Sequence, residues 1–289
     1  MTFNLKIFFT KIKDRYESLK VWDRRSRNYH LMFPPNSPSK EDIEIYREQF
    51  IGIKTSCPVL VLGVTPQLRS ALSDIFERVI LADFSRKMYF STLKRMKQEV
   101  LEKENFLWTD WLNLTKALSF SAVDLVVGDL VFMQLSPGDR EAFLDNIFKI
   151  LKPGGFFISR IKMYNSFWRD VNPYDITHDL YEKGEPLSRF LLYRFGDKVL
   201  NTENFSFRVN DIMPLFAEAV RDSQDAKEKE SVISAMNYYK ETDGNITRSY
   251  FPKTYFDSWI SQRFDIAKVS YSSDYEESEF YPIYVFKKR

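Results

Sequence analysis

A repeated rhythm of short apolar runs and amphipathic helices across residues 58–161 restricts the fold more than any other feature of this chain. Val59-Leu60-Val61-Leu62 is an uninterrupted apolar run of strand length that enters Gly63-Val64-Thr65-Pro66, and Leu68, Ala71, Leu72, Ile75 and Phe76 then recur at helical spacing. A second run, Val79-Ile80-Leu81-Ala82, ends at Asp83, and the segment from Ser85 to Glu102 reads as one long helix. Asn105–Trp108 leads to Thr109-Asp110-Trp111, and Val123–Val127 leads to Gly128-Asp129. A helix from Pro137 to Leu151 follows, closed by Lys152-Pro153-Gly154-Gly155, and Phe156–Ile161 is the next strand. Continuous apolar runs denote strands covered on both faces. Their alternation with helices predicts a parallel, doubly wound α/β sheet. In such a sheet ligands sit at the carboxyl ends of the strands, and an acid closing the second strand is placed to accept hydrogen bonds from a ribose.

The remaining composition narrows the function. Aromatic residues make up 16% of the 289 residues, more than a core alone calls for, and flat side chains line small-molecule pockets. A formal net charge of +2 gives no indication of a whole-chain polyanion binder. The single cysteine, Cys57, excludes an internal disulfide framework, and two histidines, His30 and His178, cannot assemble a Cys/His zinc spacing, so no metal site is expected. No apolar run reaches the roughly 18 to 20 residues of a membrane span, and the beginning of the chain does not read as a secretory signal. The expected location is cytoplasmic.

Both flanks of the rhythm differ from it. The first thirty residues carry eight Lys or Arg against three acids, with Leu5, Phe8, Phe9, Ile12, Tyr16 and Leu19 on one helical face. Phe33-Pro34-Pro35-Asn36-Ser37-Pro38 reads as a linker, and Ser39 as the N-cap of a helix near 40–50 with Asp42 completing a capping box. Residues 164–251 form a long interruption after the fifth strand, with helix-like runs at Tyr174–Arg194, Val209–Ala219 and Lys227–Lys240. The expected organisation is an N-terminal helical cap over 1–52, a core over 53–163 and 252–289, and a helical insertion over 164–251 that closes over the substrate as a lid.

Taken together, the strand-Gly63 turn, Asp83, Asp110-Trp111, Gly128-Asp129 and Leu151-Lys152-Pro153-Gly154-Gly155 resemble the class I S-adenosylmethionine-dependent methyltransferases. The resemblance implies a Rossmann-like seven-stranded sheet, parallel with an antiparallel last strand. Its final helix would be Phe251–Phe264, and its last two strands Asp265–Tyr271 and Phe280–Phe286. It also implies S-adenosyl-L-methionine as cofactor. Gly63 and Thr65 would approach its methionine part, Asp83 its ribose, Phe84 and Met88 would flank the adenine, Asp110 and Trp111 would complete that pocket, and Gly128 would mark the strand-four tip. Trp22, Arg27 and Tyr29 lie where a closing helix is expected, with Arg27 as the cation for the cofactor carboxylate. If the acceptor must lose a proton, the candidate catalytic residues are His30 and Asp129, with His178 in the insertion as a further histidine. The expected activity is direct in-line methyl transfer to a small molecule. An RNA or protein methyltransferase, or a non-catalytic module that binds the cofactor, are the alternatives. Nucleic acid is not the expected partner, since Gly128-Asp129-Leu130-Val131 stands where base-methylating relatives carry an Asn/Asp-Pro-Pro-aromatic signature.

Overall fold

The computed structural model describes residues 16–27 and 32–289. The β-branched and leucine-rich runs pair as the rhythm requires, in one seven-stranded sheet. Its strands are β1 (Val59–Leu62), β2 (Val79–Asp83), β3 (Glu104–Trp108), β4 (Val123–Asp129), β5 (Leu151–Arg160), β8 (Phe264–Ser270) and β9 (Ile283–Lys288). The order is β3-β2-β1-β4-β5-β9-β8, and β9 alone runs against its neighbours, pairing antiparallel with both β5 and β8. The chain reverses direction across the sheet between β1 and β4, which makes that the topological switch point.

Two apolar layers cover the sheet. On one face α2 (Lys40–Ile51) and α3 (Pro66–Ser73) pack Tyr46, Phe50, Leu68 and Leu72 on Val59, Val61, Leu81 and Val127. On the other, α7 (Arg140–Ile150) and α12 (Lys253–Ile260) pack Phe143, Leu144, Phe256 and Trp259 on Leu60, Val126, Phe157 and Phe286. Much of the aromatic surplus is spent here, since Phe132, Phe143, Phe157, Phe256 and Trp259 form a chain of edge-to-face and tilted ring contacts.

Several elements depart from the sequence-based expectation for local physical reasons. The long helix over 85–102 is two, α4 (Arg86–Leu93) and α5 (Gln98–Glu102), with Lys94 as the C-cap of the first, and a single helical turn, α6 (Leu114–Ala117), follows β3. The Lys152-Pro153-Gly154-Gly155 segment does not precede β5 but lies inside it: Val123 pairs with Leu151 and Leu125 with Phe156, so the extra residues form a bulge. Gly154 takes φ +74, and a Cβ on Gly155 would stand 2.9 Å from the Lys152 carbonyl oxygen, so both glycines are required by the bulge. The expected linker over 33–38 is a packed segment, with Pro35, Ser37 and Pro38 buried. Ser39 caps α2 in a capping box with Asp42, as read from the sequence.

Between β5 and α12 the chain forms α8 (Pro173–Glu182), α9 (Leu187–Val199), a hairpin of β6 (Ser206–Arg208) with β7 (Thr247–Ser249), α10 (Met213–Asp222) and α11 (Ala226–Thr242). The run read as one helix over 174–194 is broken at Lys183-Gly184-Glu185-Pro186, where Gly184 takes φ +69 and proline follows. The hairpin had no alternating signal in its three-residue strands and was absent from the expectation. This region has its own apolar cluster, built on Leu180, Phe190, Phe195, Phe216, Val232 and Tyr239, and the cluster reaches the sheet through Leu130, Met133 and Tyr281 and the N-terminal helix through Val21. That helix, α1, spans residues 16–25. The apolar positions Leu5, Phe8, Phe9 and Ile12 lie outside the described residues.

Candidate functional site

The strand register brings the chemistry to one end of the sheet. Leu62 pairs with Ala82 and with Gly128, Asp83 with Trp108, and Asp129 with Arg160, so Gly63, Asp83, Asp110 and Asp129 all emerge at the carboxyl ends around the switch point. A chamber opens there. Its sheet-side wall carries Gly63, Thr65, Asp83, Phe84, Met88, Asp110, Trp111 and Asp129. Trp22 and Arg25 of α1, with Met32, Asn36 and Ser37, form a second wall. Leu130, Met133, Gln134, Leu135, Tyr193, Ile246 and Arg248 close the far end.

Local folding fixes the sheet-side wall. Gly63 takes φ +93, a conformation open to glycine, and its N–H donates to the Ala82 carbonyl at 2.9 Å. Asp83 Oδ1 accepts from the Ser85 N–H at 2.7 Å, while its Oδ2 lies 4.0 Å from where a Cβ on Gly63 would stand. Burial pushes the Asp83 carboxyl up to about 7, against the backbone N–H groups of Ser85 and Phe84 that favour its charge. The Trp111 indole donates to the Ala82 carbonyl at 2.8 Å, which holds its ring beside Gly63. Asp110 Oδ1 caps the following turn by accepting from the Leu112 N–H at 2.9 Å.

Some expected residues fall elsewhere. Gly128 does not line the chamber: a Cβ there would meet Val131 Cγ1 at 2.5 Å, so glycine serves the packing behind the chamber floor. Arg27 is exposed and does not line the chamber, whereas Arg25 does. The helical spacing contained that signal, since Trp22 and Arg25 stand three residues apart on one face and Arg27 does not share it. Tyr29 and His30 lie outside the described residues. His178, on α8, stacks on Tyr174 with ring centroids 5.2 Å apart and lies 3.3 Å from Glu228, away from the chamber lining.

Asp129 is held firmly. Its two carboxylate oxygens accept from Arg160 Nε at 2.7 Å and Nη2 at 3.1 Å. Burial raises its proton affinity while Arg160 opposes the shift. Arg160 also donates to Asp42 at 2.7 Å and to the Pro35 carbonyl at 2.9 Å, and its backbone N–H donates to the Tyr46 hydroxyl, which donates in turn to the Gly128 carbonyl. A buried arginine on a strand otherwise apolar was the sequence signal for this clasp. Asp243 and Arg248, at the end of α11 and on β7, offered no such signal, because they flank a short turn, Gly244-Asn245-Ile246-Thr247, in which charged residues are ordinarily solvated.

Among the described residues no group of three or more His, Cys, Asp or Glu side chains is arranged to hold a metal ion, and no helix is long and apolar enough to cross a membrane.

Residues 62–159 match the model of the methyltransferase domain family. No curated protein matches the sequence. Among solved structures, the chain is similar to a Rhodobacter sphaeroides protein provisionally assigned to the zinc-dependent alcohol dehydrogenases, at 13% identity and TM-score 0.58, covering 94% of this chain and 98% of that one. It is similar to a Methanosarcina mazei protein described as an S-adenosylmethionine-dependent methyltransferase, at 14% identity and TM-score 0.51, covering 87% and 98%. DhpI, solved with S-adenosylhomocysteine, aligns at 14% identity and TM-score 0.53, covering 94% and 95%. At these identities the likeness is one of fold, and the dehydrogenase assignment of the first carries no activity to this chain.

Proposed function

We propose that this chain, whose residues 62–159 match the methyltransferase domain family, is a class I S-adenosylmethionine-dependent methyltransferase that methylates a small molecule directly within the chamber at the carboxyl ends of β1, β2 and β4. The observation that carries this reading is the pairing of Asp83 with Gly63. A buried carboxylate with one oxygen fixed by the backbone faces a turn whose missing side chain and φ of +93 leave room for a ligand against the main chain. These residues fit the cofactor, with Asp83 accepting from its ribose hydroxyls, Phe84, Met88 and Trp111 flanking its adenine, and Asp110 beside them. When bound, S-adenosylmethionine supplies a methyl group attached to a sulfonium.

The chain's own contribution is then positioning and the exclusion of water. Trp22, Met32 and the far-end residues Met133, Leu135 and Ile246 surround the acceptor on the sides not closed by the sheet. The insertion and α1 act as its lid. Asp129, with both oxygens committed to Arg160, serves as a fixed negative charge on the sheet-side wall and not as a mobile base. A chamber walled by α1, the 32–37 segment and β7 favours a small acceptor over a polymer.

Isothermal titration with S-adenosylhomocysteine tests the cofactor assignment, and loss of the binding heat in Asp83→Ala is expected; a wild-type protein that gives no heat overturns it. Release of S-adenosylhomocysteine from the labelled cofactor in the presence of candidate acceptors distinguishes an enzyme from a module that only binds. Salt-dependent binding of RNA at low ionic strength would favour the macromolecular alternative.

A further inference from the structure

The far end of the chamber carries an unbalanced positive charge. Arg25 Nη2 and Arg248 Nη2 both donate to the same oxygen of Asp243, at 2.5 and 2.8 Å. All three side chains are buried, at 7%, 1% and 0% exposure, so two guanidinium charges share one carboxylate away from bulk water. Burying an arginine costs free energy unless its donors and its charge are matched. Here the match is incomplete. Each guanidinium has five N–H donors, yet among the described residues Arg25 makes one side-chain hydrogen bond and Arg248 makes two, to Asp243 and Gln134. The Nε of each is buried without a partner. The second oxygen of Asp243 accepts from the Thr242 hydroxyl and offers nothing to either arginine.

The position of Arg248 is rigid. Arg140 ties the hairpin to the sheet end by donating to the Asn204 and Phe205 carbonyls and to Ser249 Oγ, and Ser249 donates to the Leu135 carbonyl at 2.6 Å. A cation held this firmly at the wall of a chamber is preorganised for a ligand and loses little entropy on binding one. The surroundings specify more than charge. Met133, Leu135, Ile246 and Tyr193 line the chamber beside the two arginines.

We propose that this end takes the anionic group of the methyl acceptor, a carboxylate or phosphate carried on a small apolar scaffold, with Arg248 and Arg25 as its counter-ions and Asp243 as the internal anion that holds them when the acceptor is absent. The proposal rests on the methyltransferase reading for what the ligand is, and adds its chemical class. On the sheet-side wall the carboxylates Asp83 and Asp110 disfavour an anion, whereas Asp129 is already matched by Arg160, and this asymmetry orients the acceptor.

Benzoate and its neutral isostere benzamide serve as probes, titrated into the full-length protein saturated with S-adenosylhomocysteine so that a probe cannot occupy the cofactor's own place. Benzoate is expected to bind at least tenfold more tightly than benzamide, and phenyl phosphate against phenol reports whether the same end prefers phosphate. Arg248→Met is expected to erase the discrimination, Arg248→Lys to retain part of it, and Asp243→Asn to tighten benzoate binding, since the competing carboxylate is gone. A merely structural trio predicts that all three variants weaken the probe alike. Equal affinity of benzoate and benzamide for the wild-type protein overturns the proposal without any variant having to fold. So does a tenfold loss of S-adenosylhomocysteine affinity in Arg248→Met, which would make the arginine a cofactor ligand. Failure of the wild-type protein to bind S-adenosylhomocysteine at all is a separate result and counts against the methyltransferase reading.

Discussion

Two buried charge trios border the chamber, both within electrostatic reach of Tyr193, with their signs exchanged. In one, Arg160 lies between Asp42 and Asp129; in the other, Asp243 lies between Arg25 and Arg248. The difference is saturation. The Arg160 side chain makes five hydrogen bonds, two to Asp129 and one each to Asp42, the Pro35 carbonyl and the Tyr275 hydroxyl, so its guanidinium donors are spent inside the protein. The Asp243 trio leaves most of its donors unused among the described residues. A satisfied buried network rigidifies a fold, whereas an unsatisfied one is costly unless a ligand completes it. Tyr193 feels both, with burial raising its proton affinity and the charges of Arg160, Arg25 and Arg248 opposing that shift.

The largest effect is expected from Arg160→Met. It strands two buried carboxylates and the Pro35 carbonyl, at a cost of about 3 to 5 kcal/mol, seen as a fall in melting temperature on the order of 10 °C. Thermal unfolding followed by circular dichroism measures it. A loss under a few degrees would show that the clasp is not structural and that the contrast between the trios is wrong. Asp243→Asn should also destabilise the protein, but here millimolar phosphate or benzoate should recover part of the melting temperature. Neither anion should rescue Arg160→Met.

The next effect concerns the sheet-side wall. Asp83→Asn removes the charge offered to the ribose and is expected to weaken S-adenosylhomocysteine about 10- to 100-fold at pH 8, the worth of a charge-assisted hydrogen bond of about 1.5 to 3 kcal/mol. The protein without cofactor should be no less stable, because the wild-type carboxyl is buried at a cost.

A pH profile of the wild type follows from the same group. Burial raises the Asp83 carboxyl from 3.8 to about 7. The folded chain therefore holds this proton more tightly than the unfolded chain between those values, and the stability it contributes is complete below about pH 4 and lost as pH rises through 7. Ligand binding runs the other way, since the ribose hydroxyls donate to the carboxylate. Affinity for S-adenosylhomocysteine is expected to rise about tenfold from pH 6 to pH 8, with proton release visible as a buffer-dependent binding enthalpy. A flat profile would remove Asp83 from the cofactor site. The smallest effect is expected outside both trios: His178→Ala should change that affinity less than twofold, because His178 packs on Tyr174 and Glu228 and does not line the chamber.

Much of the fold was legible because it depends on local pattern. Strands such as Val59–Leu62 and Val123–Asp129 must be covered on both faces, and that requirement is written as unbroken apolar runs. The elements misread were those where local preference yields to context, such as the bulge that absorbs Gly154 and Gly155 into β5 and the three-residue strands of the β6–β7 hairpin. The candidate site divides in the same way. Gly63, Asp83, Phe84, Met88, Asp110, Trp111 and Asp129 sit next to strand ends, so their convergence follows once the sheet order is known.

The sequence by itself determined the alternating sheet, the family resemblance and the acids at the strand tips, because each is set by residues adjacent in the chain. Only the tertiary structure decided that Gly128 packs behind the chamber and that Arg25, Asp243 and Arg248 form one charged cluster. Arg25 and Asp243 are 218 residues apart. Electrostatic pairing across such a separation depends on where the hairpin is anchored against the sheet, and no local pattern encodes that distance.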